Sequence, residues 1–130
     1  MQEQDGLALG IAQFNQQDFY GCHDTLEAVW LQCDPADKNF YQGILQIAVA
    51  HYHLSNHNWQ GCVTLLGEGI RRLKAFRPSY YGVNTEGLLQ ESSVLLTTLQ
   101  RLSPQALPHW LSPEQGNYHP PHIDSDSHSG

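Results

Sequence analysis

From Gly6 to Leu102 the apolar residues recur at intervals of three and four, with almost no two-residue alternation, a pattern that favours helices over strands. Leu7, Ile11 and Phe14 mark a short first helix. Asp18 caps a second, which carries Phe19, Leu26 and Trp30 and is ended by Asp34-Pro35. A third helix is expected from about Asp37 to Ser55. Asn56, His57 and Asn58 then make a turn, and Asn58 caps a fourth helix that reaches Phe76 and stops at Arg77-Pro78. Pro78 to Asn84 reads as a loop, and Leu88, Leu95, Leu99 and Leu102 as the face of a fifth helix. The third helix is apolar around most of its circumference, as befits a helix surrounded by others. The expected fold is all-α, a compact bundle of about five helices with the second, third and fourth at its core. No internal repeat is evident.

After Ser103 the pattern changes: Pro104, Pro108, Pro113, Pro120 and Pro121 fall among polar residues. Residues 1–103 are therefore read as the bundle domain and 104–130 as a flexible, largely disordered Pro/His/acidic tail. Trp110 and Leu111 could dock its first part, but His119 to Gly130 has little apolar surface to offset the entropy of ordering. Its His119, His122 and His128 could hold a metal only weakly.

With 13 acidic and 6 basic residues the chain of 130 carries a net charge of -7 and would repel a phosphate backbone, so nucleic acid is not an expected partner. No apolar run approaches the roughly 20 residues of a membrane helix. Cys22, Cys33 and Cys62 form no close pair and follow no secretory segment, which points to a reducing cytoplasm.

Polar residues also sit where the helical pattern suggests an interior. With His23 at zero on a helical wheel, Glu27 falls at about 40 degrees and Trp30 at about 340 degrees, beside Phe19 and Leu26. On the third helix Gln42, Gln46 and His53 share one face, while His51 lies at about 180 degrees and is left out of the set. The stripe of the third helix is expected to meet the second. There the buried groups would satisfy one another or a bound molecule, because an unpaired one costs roughly 1–3 kcal/mol.

The run from Phe14 to Leu73, with His23, Glu27 and Trp30, then Gln42-Gly43, Gln46, Ala48, Ala50 and His53, then Asn58, Gly61, Leu65, Leu66 and Gly69, resembles the bacterial and plastid "domain of unknown function 309" family. Cys62 stands where that pattern usually has alanine. The resemblance implies a compact helical bundle, in the cytoplasm or a plastid stroma, and supplies no activity.

Several chemistries fit the constellation of His23, Glu27, Trp30, Gln42, Gln46 and His53. It can be a closed network that fixes helix packing. It can be a pocket for a small polar molecule, walled by Trp30 with Tyr20 or Tyr52. His23, Glu27 and His53 could ligate a divalent metal with one position left open, and a desolvated Glu27 beside His23 could serve as an acid or base. Arg71, Arg72, Lys74 and Arg77 suit the end of the fourth helix better than an anion site. The expected function is a binding module for a small polar ligand or a protein partner. The alternative is a metal-dependent, hydrolase-like enzyme using His23, Glu27 and His53. No cofactor beyond that metal is expected, and homo-oligomer formation is left open.

Overall fold

A computed structural model describes residues 2–126. It contains six α-helices: α1 (Glu3–Asn15), α2 (Phe19–Gln32), α3 (Lys38–Ser55), α4 (Trp59–Leu73), α5 (Thr85–Gln100) and the short α6 (Leu107–Leu111). No named strand occurs among the described residues. The all-α expectation holds, with one helix more than the apolar pattern suggested, because Leu107 to Leu111 is too short to show a period.

Three helices begin in the same way. Asp18, Asn58 and Asn84 each accept a hydrogen bond from the backbone N–H three residues on, at 2.9–3.0 Å from Gly21, Gly61 and Gly87. The cap folds so tightly over this position that a Cβ there would lie 2.3 Å from Asp18 Oδ2 or 2.6 Å from Asn58 Nδ2, which explains the glycine. Ahead of two of these caps the preceding helix ends on a left-handed residue, Gln17 (φ 64) or His57 (φ 59). The Asp18 N–H reaches Gln13 O at 2.8 Å and the Asn58 N–H reaches His53 O at 2.9 Å, both six-residue closures of the Schellman kind. The α1–α2 and α3–α4 corners are thus one motif used twice, Gln13 to Cys22 and His53 to Cys62. An internal repeat is present after all. It is carried by backbone geometry and by matched residues at one fixed offset, Phe14 with Leu54, Asp18 with Asn58, Phe19 with Trp59, Gly21 with Gly61 and Cys22 with Cys62.

Consecutive helices pack on one another in order from α1 to α5, with α3 in the middle. Phe40, Tyr41, Ile44, Ile47, Ala48, Ala50 and Leu54 of α3 are all buried, as its apolar circumference predicts. Against α4 the approach is close: a Cβ on Gly69 would stand 2.9 Å from Gly43 O.

Residues 104–126 overturn the expectation of a disordered tail, whose last part, including His128, lies outside the described residues. After α6 the chain returns across the bundle as a strap. Ile123 is only 2% exposed, and Pro121 and Leu107 are buried with it. Asn15 accepts from the Ile123 N–H at 2.7 Å and donates to the Ile123 carbonyl at 3.0 Å. The Asn84 N–H donates to Asp124 O at 2.9 Å, and Val83 bridges Ser125. Sparse apolar residues suffice because each one meets a prepared socket and side chains satisfy the backbone between them.

Candidate functional site

On α2 the buried residues are Phe19, Cys22, Leu26, Val29 and, at the C-cap, Cys33. The centre of that stripe lies about 80 degrees round the helix from His23 and about 120 degrees from Glu27. The expected burial of the pair is therefore corrected: His23 is half-buried, and Glu27 has a side chain 55% exposed. Their expected pairing is present, with Nε2 of His23 3.4 Å from Glu27 Oε2 and Nδ1 3.2 Å from Asp24 Oδ1. Trp30, half-buried, lies under Lys38, whose Nζ is 4.3 Å from the ring centroid and also donates to the Trp30 carbonyl. The Trp30 indole N–H is buried with no hydrogen-bond partner among the described residues.

The α3 stripe does not meet α2. Gln46 accepts from Arg72 of α4 at 3.1 Å, and Arg72 also donates to Asn39 at 2.6 Å. His53 Nδ1 accepts from the Asn58 amide at 3.3 Å, within the α3–α4 corner, and Gln42 is half-buried near the start of α3. The six residues thus split into a surface pair on α2, a link to α4 and a corner contact. His23, Glu27 and His53 do not assemble into a metal site. Among the described residues, no group of three or more His, Cys, Asp or Glu side chains could hold an ion.

The buried imidazole is instead His51, 3% exposed, which the helical wheel set aside. The more exposed side of α3 is the one that carries Gln42, Val49, Tyr52 and His53, so His51, about 180 degrees round from Gln42, faces the interior. His51 stacks on Phe19 (centroids 5.2 Å apart, planes at 24°) and meets the edge of Phe14 at 6.3 Å. Nδ1 lies 2.8 Å from the Tyr118 hydroxyl on the strap. Desolvation holds the imidazole down to about 4, so it is neutral at pH 7.

His51 stands between two clefts. The first, of about 440 Å³, opens between α5 and the strap, with Val94, Leu95, Trp110 and Pro121 as its apolar wall. Ser92, Asn117 and Glu91 supply polar groups. Glu91 accepts from the His122 N–H at 3.1 Å, and partial desolvation pushes its carboxyl above the usual range. The second cleft, of about 470 Å³, is lined by Asp18, Tyr20, Tyr52, His57 and Tyr118. It runs out onto an open row of rings: Tyr20 and Tyr52 are 61% and 41% exposed with centroids 5.7 Å apart, and His23 lies 6.3 Å beyond Tyr20.

A polar anchor was also missed. Asp37, read as no more than a helix start, is buried and accepts from the hydroxyls of both Tyr80 and Tyr81, which pins the loop ahead of α5. The paired tyrosines were its only signal in the sequence. Cys22 and Cys62 are buried and free, and their thiols are pushed up to about 12 by desolvation.

Residues 7–65, which contain both repeated corners and His51, match the model of the family described as Domain of unknown function (DUF309). The match covers a little under half of the chain. The protein is also 37% identical over 60 residues to the uncharacterized protein YpuF of Bacillus subtilis (strain 168), across 45% of this chain and 34% of the relative. The chain thus spans about a third of the length of that curated relative. Within the matched segment lie Phe14 and Phe19, two of the aromatic neighbours of His51, whereas the third, Tyr118, lies beyond it with α5, Trp110 and the rest of the strap. No helix among the described residues is long and apolar enough to cross a membrane.

Proposed function

We propose that the protein is a small-molecule-binding module whose ligand sits in the cleft between α5 and the strap. The observation that carries this reading is His51, a neutral, buried imidazole held through Nδ1 by Tyr118 and lining a mostly apolar cleft of about 440 Å³. That size and that mixture of apolar wall and few polar groups suit a small organic ligand. The free, buried cysteines suit a reducing compartment, the cytoplasm or a plastid stroma.

A fragment screen by NMR tests the reading. Hits should shift the Trp110 indole N–H and the amides of Glu91, Ser92 and Thr98, and a cleft-filling Thr98→Trp variant should lose them. Hits that move only the Tyr20 and Tyr52 region, or none that move the cleft, would overturn it. The exposed ring row favours a second reading, a protein-docking face. There Tyr20→Ala would abolish capture of a partner while leaving fragment binding in the cleft intact.

A further inference from the structure

Resting on the cleft reading, we infer that the ligand class is a small organic cation, an aliphatic ammonium with an apolar body. Among the described residues, no lysine or arginine lines this cleft, and its one formally charged lining side chain is Glu91. Among the described residues, that exposed carboxylate accepts the backbone N–H of His122 and forms no ion pair with a lysine or arginine. Trp110 lines the same space, and an aromatic face beside a carboxylate is the combination that holds an ammonium group while Leu95 and Val94 take its alkyl chain. Asp124, paired with His122 at 3.3 Å, raises the Glu91 carboxyl while His122 lowers it, and the net charge of -7 favours a cation over an anion. His51 contributes no competing positive charge, since burial keeps it neutral. An anionic ligand would meet the Glu91 carboxylate with no lysine or arginine in the lining to offset it, and a neutral one would cover that carboxylate while leaving it only the His122 N–H.

The test titrates the full chain with hexylammonium, 1-hexanol and hexanoate at about pH 8, above the ordinary histidine range, following the Trp110 indole N–H. Hexylammonium should bind about tenfold more tightly than hexanol, equivalent to about 1.4 kcal/mol, with hexanoate weakest. Glu91→Gln should erase the difference while hexanol binding stays. If hexanol or hexanoate binds as well as hexylammonium, or if Glu91→Gln keeps the preference, the cation inference fails and the cleft reading stands. If none of the three moves Trp110, both fail. A blocked lysine peptide that binds more tightly than hexylammonium would assign the site to a protein side chain and overturn the small-molecule class.

Discussion

His51 shows how one buried side chain writes itself into the pH dependence of the whole fold. Its folded value of about 4 lies below the ordinary value near 6.5. The unfolded chain therefore takes up the proton first. The contribution of His51 is complete above about pH 6.5 and is lost as pH falls toward 4, amounting to about 2 kcal/mol between pH 7 and 5. Urea unfolding at the two pH values should show that loss, and His51→Gln should remove most of the slope. Glu27 behaves in the opposite way. Because it is exposed and pairs with His23 only across one helical turn, Glu27→Leu should change stability by no more than about 0.5 kcal/mol. The sequence carried the His23–Glu27 contact, since four residues on a helix are always neighbours. It could not show that Phe19, Cys22 and Leu26 turn the buried face away from that pair, nor that strap residue Tyr118 would reach back to His51.

At the scale of the elements, boundaries were legible wherever a cap or a proline marks them: Asp18, Asn58 and the Arg77-Pro78 stop all fall where the sequence places them. Which faces meet was harder to read, and the glycines of α4 show why. Gly67 and Gly69 look alike in the sequence, yet a Cβ on Gly69 would stand 2.7 Å from Ile47 Cγ1 and 2.9 Å from the Gly43 carbonyl, whereas one on Gly67 meets nothing within 4 Å. Gly69→Ala should therefore cost about 1–3 kcal/mol, because a backbone carbonyl cannot move aside as a side chain can. Gly67→Ala should stabilise by about 0.5–1 kcal/mol by lowering the entropy of the unfolded chain. Thermal melts of the two variants should move in opposite directions.

For the molecule as a whole, the strap was the least legible part, since its proline-rich composition is that of a disordered segment while its few apolar residues find fitted sockets. Ending the chain at Gly116 uncovers the socket of Ile123 and frees Asn15 and His51 from their partners. Burial of one such side chain is worth about 1.5–3 kcal/mol before the hydrogen bonds are counted. The melting temperature should fall by about 10 °C or more. Asn15→Ala alone should cost about 1–2 kcal/mol and speed hydrogen exchange at the Ile123 amide without affecting exchange in α3.

The Asn15 clasp also sets an order of assembly. Each of the first five helices rests on its neighbour in the chain, so the stack can form through short-range contacts and should form quickly. Asn15 and Ile123 are 108 residues apart, and their meeting must wait until the stack has shortened the distance between them. Pro121, Asn117 and the Tyr118 partner of His51 arrive with that late step. In a refolding experiment, burial of Trp59 should thus precede the return of ligand binding, and native-state exchange should show the strap opening while the helices stay closed.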